Sequence, residues 1–212
     1  MSESHERRTH RVELAATILL ACAAVATAWS TYQSSRWRGE QAIDYSKATA
    51  ARIQSAEAAT RAGQETQVDI GLFVQWIDAN ASGDPKLADF YERRFRKEFR
   101  PAFKAWLATR PKTNPKAPLT PFAMPQYRLA EAAESTRLNA EAGVRANVAE
   151  VANEHSNDYV LAVVLFAASL FFAGISTKLH SLRQREVLVA IGWVIFLATA
   201  VWIATSPVSL SV

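Results

Sequence analysis

Apolar residues gather in three blocks, 14–32, 159–175 and 187–205, none holding a charged side chain. Each is 17–19 residues long. At about 1.5 Å per helical residue, 19 residues cover roughly 28 Å, close to the ~30 Å hydrocarbon core of a bilayer. The pattern therefore predicts three transmembrane helices. The alternative for any one block is a buried helix of a soluble protein, but three such blocks in 212 residues argue for a membrane.

Between the first two blocks the periodicity changes. No proline occurs before Pro85, and Gly39, Gly63 and Gly71 stand alone, so the first helix is free to run from residue 14 to about residue 80. Residues 33–69 read as an outgoing stalk whose apolar positions are nearly all small: Ala42, Ala48, Ala51, Ala56, Ala59 and Ala62, with Ile43 and Ile53. Residues 127–158 read as a returning helix, with Ala130, Ala133, Ala140, Val144, Val148 and Val151 on one side. Together they predict an antiparallel, coiled-coil-like hairpin. About 48 residues beyond Tyr32 would reach roughly 70 Å if unbroken, with bends expected at Gly63 and Gly71.

Residues 70–126 have another character. IGLFVQWI (70–77) is the most apolar run outside the blocks. Asp84 suits a helix N-cap with Pro85 at the first helical position. Leu87, Phe90, Tyr91, Phe95, Phe99, Phe103 and Trp106 follow at spacings of three or four, and Pro101 predicts a kink or a new helix after Arg100. Five prolines between 111 and 125 predict an extended strap over 110–126, with Phe122 and Met124 tucked onto the aromatic helix. The segment reads as a compact head. No repeat and no strand alternation is evident, so the fold class is an all-α membrane protein.

Charge orients this plan. The loop 176–186 carries Lys178, His180, Arg183 and Arg185 against Glu186. By the positive-inside rule it is cytoplasmic, as is the tail 1–13; 33–158 and the tail 206–212 lie outside. Arg36 and Arg38 argue mildly the other way. Arg7, Arg8 and Arg11 ahead of an apolar stretch also resemble a signal peptide. Ala26-Thr27-Ala28 offers a cleavage site and 19–22 a faint lipoprotein box, but the helical pattern runs on, favouring an uncleaved anchor. Trp29, Tyr32, Trp37 and Tyr159 sit where interfacial anchors belong. The lone Cys22 excludes a disulfide framework within the chain.

Candidate chemistry is sparse. His5, His10, His155 and His180 lack metal-ligand spacing, and His155 reads as a solvated helix end; no metal and no cofactor is expected. No phosphate loop, nucleophile elbow or HExxH occurs, and carboxylates alternate with cations as in Glu92–Arg96. Catalysis is not expected. The run 92–104, ERRFRKEFRPAFK, places Arg93, Arg94, Arg96, Lys97, Arg100 and Lys104 among aromatic anchors. It reads either as a surface for an anionic ligand or protein partner, or as an amphipathic helix with a wet basic face. Nucleic acid is not expected outside the cytoplasm. Within the apolar blocks Thr17, Thr27, Ser169 and Thr199 could line a pore or bond their own backbone, and Ala24 and Ala28 suit close helix packing.

The runs WSTYQSSRWRGEQA, GLFVQWIDA, FYERRFRKEFRPAFKAWLAT and NPKAPLTPFAMPQY resemble a group of bacterial three-span membrane proteins. The resemblance implies a bacterial inner-membrane setting and the three-span layout, and carries over no functional residue. The first functional expectation is a non-catalytic membrane protein whose outer helical region mediates self-assembly, as a homo-oligomer, or partner binding. An oligomeric channel is the second, and a sensor subunit acting through a partner the third.

Overall fold

The computed structural model describes residues 2–209, with side chains from Arg7 onward; His5's side chain and residues 210–212 of the predicted tail lie outside the described residues. Those residues form five α-helices and no strand: α1 Ser2–Ala81, α2 Pro85–Glu92, α3 Phe99–Ala108, α4 Ala130–Ser176 and α5 Leu182–Ala204. A single 3₁₀ turn spans Pro121–Ala123. Helices α1, α4 and α5 are each long and apolar enough to cross a membrane. The chain divides into two compact units, Met1–Ser46 with Arg145–Val212, and Lys47–Val144.

The first unit contains the three apolar segments. Their buried positions are mostly small, with one leucine and one phenylalanine: Ala16, Leu19 and Ala23 on α1, and Ala162, Phe166, Ser169 and Ala173 on α4. On α5, a Cβ added at Gly192 would lie 2.8 Å from Leu19 Cδ2 and 3.4 Å from the Ser169 carbonyl, so glycine permits the close approach of three helices. Large apolar side chains point outward instead, among them Val25, Leu161, Val164, Phe171, Val194 and Val201, each at least half exposed. In water such a surface would be an extensive apolar patch; against lipid tails it is the ordinary outer face of a span.

Each end of this unit is pinned by its own set of bonds. At one end Arg8 pairs with Glu186 at 2.8 Å and Arg185 with Glu13 at 3.0 Å. Helix α5 starts earlier than the predicted 187, with Ser181 at its N-cap, so Arg183 and Arg185 belong to its first turn rather than to the loop. At the other end Ser34 and Ser156 share a hydroxyl contact of 3.1 Å, and Tyr159 Oη donates to the Pro207 carbonyl at 3.1 Å. The Ser209 backbone donates to Gln33 Oε1 at 3.1 Å, and the Ser209 hydroxyl donates to Glu40. Tyr159, expected as an interfacial anchor, is 1% exposed and packed within the bundle. His155 lies inside α4 with its ring 4.7 Å from that of Trp37, not at a solvated helix end.

In the second unit, α1 and the start of α4 run antiparallel, since Ser55 bonds the Ser135 carbonyl at 2.8 Å and Arg61 pairs with Glu131 at 2.8 Å. The buried α1 residues Ala48, Ala51, Ser55, Ala58 and Ala62 alternate at spacings of three and four, the 3.5-residue period of a coiled-coil seam. This differs from the expected face. Ala42, Ala56 and Ala59 are exposed on α1, as are Ala130, Ala133, Ala140, Val144, Val148 and Val151 on α4, where Leu138, Ala142, Ala149 and Ala152 are buried instead. Alanine occurs all round α1, so composition could not choose among its faces. Helix α1 also continues unbroken through Gly63 and Gly71, where bends were expected.

The same unit holds the aromatic core: Phe73, Trp76, Phe95, Phe99, Phe103 and Trp106, with Phe122, Met124 and Tyr127 packed on it. Rings meet edge to face, as Phe95–Phe103 at 4.8 Å and Trp76–Phe103 at 4.9 Å, the geometry favoured by aromatic quadrupoles. Asp84 caps α2 by accepting from Leu87 N, with Pro85 following, as predicted. The break comes earlier than expected: α2 ends at Glu92 and α3 begins at Phe99, placing Pro101 within its first turn. Leu87 and Phe90 stay exposed, as do Ile70, Val74 and Ile77 of the apolar run. The strap is not extended throughout but folds into successive turns between Arg110 and Ala117.

Candidate functional site

Two features of the second unit concentrate polar and aromatic groups. The first is a partly buried ionic knot. Asp69, fully buried on α1, accepts from Arg96 Nη1 at 3.1 Å and from Tyr127 Oη at 3.1 Å. Arg96 also pairs with Glu65 at 2.8 Å and Glu98 at 3.4 Å. Tyr127 further donates toward Thr66 at 3.3 Å. Burial raises the Asp69 carboxyl above the ordinary value of 3.8, against the opposing pull of Tyr127 and Arg96. Its Oδ1 is buried without a hydrogen-bond partner among the described residues. Burial likewise pushes the Tyr127 hydroxyl up. For Arg96 burial acts downward but is outweighed by the hydrogen bond it donates to Glu65 and by the charge of Asp69, leaving it raised. The knot fixes the irregular 93–98 segment to α1. It clamps the fold.

The second feature is a groove of about 630 Å³ where the ends of α1 and α3 meet the strap. Helix α3 ends at Ala108, and Arg110 then adopts φ 54, the left-handed conformation usually left to glycine at this position. Its N–H donates to the Leu107 carbonyl, and its own carbonyl accepts from Thr113 and Asn114. This reversal sends the strap back past α3, where Trp106 Nε1 donates to the Pro118 carbonyl at 2.7 Å. Apolar walls come from Trp76, Ile77, Trp106 and Leu107, and the rim includes Leu119, which is 94% exposed. Its polar lining is two cations, Arg110 and Lys112, and two amides, Asn80 and Asn114; among the described residues no acidic side chain lines it. Lys112 donates to Asn80 Oδ1 at 3.4 Å.

The six cations of the 92–104 run do not all converge on one site. Arg96 is spent in the knot, Arg93 pairs with Asp89 at 3.0 Å, and Arg94 lies 3.3 Å over the Phe90 ring. Arg100 donates to the carbonyls of Phe95 and Arg93. Lys97 is 3.6 Å from Glu98, and Lys104 lines a smaller hollow with Arg93 and Arg100. The expected Glu92–Arg96 pair gives way to Arg96's bonds with Glu65, Asp69 and Glu98.

In the first unit Thr17, Thr27, Ser169 and Thr199 each donate to the carbonyl four residues back, the self-satisfied alternative foreseen for them. Ala24 and Ala28 are exposed, while Ala16, Leu19 and Ala23 take the buried positions of this part of α1. Trp29 and Tyr32 are about half exposed, with rings 6.0 Å apart, and Trp37 is half-buried against His155. Missed in the sequence were Ser30, Gln33, Ser34 and Ser156, all buried at one end of the bundle. Ser30 Oγ and Gln33 Nε2 have no hydrogen-bond partner among the described residues. A glutamine and three hydroxyls near the ends of apolar blocks gave a faint signal. The groove gave none, because a strap's turns create it.

Compared with models of protein families, with curated proteins and with solved structures, the chain matches none. The bacterial resemblance of the four sequence runs draws no support from these comparisons.

Proposed function

We propose that this is a non-catalytic integral membrane protein whose helical region outside the cytoplasm binds partners through its aromatic head. The groove at the ends of α1 and α3 carries this reading: a cavity of about 630 Å³ falls in the size range of ligand sites, and its walls combine aromatic surface with a few polar groups. In the proposed topology α1, α4 and α5 cross a bacterial inner membrane, with the N-terminus inside, residues 33–158 outside and the C-terminus outside. Support comes from the outward apolar surfaces of the first unit and from its two chemically distinct ends, one tied by arginine–carboxylate pairs, the other mainly by hydroxyl, amide and carbonyl bonds with one to the Glu40 carboxylate. Self-assembly into a homo-oligomer fits the exposed Val144, Val148 and Val151 on α4 and Ile43 and Ile53 on α1.

A reporter enzyme that works only outside the cytoplasm, fused at the exposed Gly83 turn, is expected to be active. Inactivity there, with activity of a cytoplasmic reporter at the same site, would reverse the compartment. Sizing in detergent is expected to give a defined oligomer, and a clean monomer would remove the assembly reading.

A second reading, an oligomeric pore, draws on one observation: Ser30 Oγ and Gln33 Nε2 are buried polar atoms without partners among the described residues, at one end of the first unit. Such atoms suit contact with water or an ion. Planar-bilayer currents altered by Gln33→Leu would favour it, and silence across voltage and tension would dismiss it.

A further inference from the structure

We propose that the head groove is a site for a free, single-chain organic monoanion, its acid group held by Arg110 and Lys112 and its apolar body laid against Trp76, Trp106 and Leu119. The inference rests on the head being a binding module and specifies what it binds. Three observations carry it.

The first is complementarity. Every charged residue lining the groove is a cation, while most of the remaining wall is aromatic, aliphatic or proline. A ligand that is only charged would leave the tryptophans unused, and one that is only apolar would leave two cations facing it without a counter-ion. An amphiphilic acid satisfies both.

The second is the backbone at Arg110. Its φ of 54 is strained for any residue with a Cβ, and the hydrogen bonds of the reversal use only its main chain. Glycine would hold the same turn at lower conformational cost. Among the described residues the guanidinium makes no hydrogen bond or ion pair, so nothing within the fold accounts for an arginine there. Strain retained at a side chain lining a cavity points to a use for that side chain.

The third is Leu119. It is the most exposed large apolar residue described, at 94%, yet it stands on the rim of the cavity and next to Pro118, whose carbonyl is fixed by Trp106. An alkyl chain leaving the groove would cover it and remove its apolar surface from water.

The groove is tested on the full chain in nanodiscs of zwitterionic lipid, with octanoate as the probe and isothermal titration as the readout, empty discs being subtracted. Acetate supplies the anion without the chain, and octyltrimethylammonium the chain with the opposite charge. Saturable binding of octanoate alone is expected. Arg110→Gly should weaken it at least about tenfold, as loss of a charge-assisted bond does, while leaving the thermal midpoint equal or higher because the strained φ is relieved. Arg110→Lys should keep part of the affinity. Leu119→Asn, at an exposed position that cannot unfold the head, should weaken octanoate about threefold or more. Absence of saturable octanoate binding, equal binding of octyltrimethylammonium, or unchanged affinity in Arg110→Gly would each overturn the proposal. Because the titration uses purified protein, its failure stands apart from a reversed reporter at Gly83, which bears on compartment alone.

Discussion

Asp69 shows how one side chain can organise a segment. It is buried on α1 between the alanine seam and the aromatic core, and it holds Arg96 and Tyr127 from two later parts of the chain. Because burial raises its carboxyl above 3.8, the fold binds that proton more tightly than the unfolded chain does. The contribution of Asp69 is therefore whole below the unfolded value and is lost as pH rises through the folded one. The difference in thermal stability between wild type and Asp69→Asn, followed by near-ultraviolet dichroism of the head, should shrink or invert from about pH 4 to about pH 7. A flat or growing difference would refute the assignment. Glycine gives a simpler case. Gly63 and Gly71 are helical with open space around a built Cβ, so Gly63→Ala and Gly71→Ala should each stabilise by about 0.5–1 kcal/mol, measured by chemical denaturation.

For whole elements, legibility followed the contrast in the sequence. The apolar blocks were legible because no charge interrupts them, and the α2 start because Asp84 and Pro85 have defined capping roles. The inner face of α1 was not, because Ala56, Ala58, Ala59 and Ala62 are identical side chains on different faces and only three-dimensional pairing separates them. Arg96 was hidden for the converse reason: one half-buried arginine among five other cations has no local mark. The face assignment has a direct test. Ala58 is fully buried and Ala59 beside it is exposed. Ala58→Leu should destabilise by about 1–3 kcal/mol through overpacking, and Ala59→Leu by less than about 0.5 kcal/mol. Equal effects in thermal melts would place the seam elsewhere.

In the molecule as a whole, the ends of the first unit relate chain order to sidedness. The pairs Arg8–Glu186 and Arg185–Glu13 bring the beginnings of α1 and α5 together, as two segments entering a membrane from the same side would require. In a Cys22→Ala background, Glu13→Cys with Arg185→Cys should form a disulfide under mild oxidation in intact membranes. A control pairing Glu13→Cys with Ser206→Cys, at the other end of α5, should not. Cross-linking of both pairs alike, read by a gel shift, would contradict the arrangement. The head groove lies at the opposite extreme of legibility. It is formed by a turn at Arg110, a strap and the ends of two helices, none of which carries a motif.

The alanine seam of the second unit also constrains how this chain can change length. Buried positions alternating at three and four residues repeat every seven, and Ser55 with Ser135 and Arg61 with Glu131 fix which turn of α1 meets which turn of α4. A single-residue insertion in either helix would rotate every later alanine off the seam by about 100°. A loss of seven residues from one helix alone would restore the face but mismatch its partner. Only paired excisions of one heptad, one from each helix at facing positions, conserve both phase and pairing. Length variation here should therefore be quantised, in matched steps of about 10 Å.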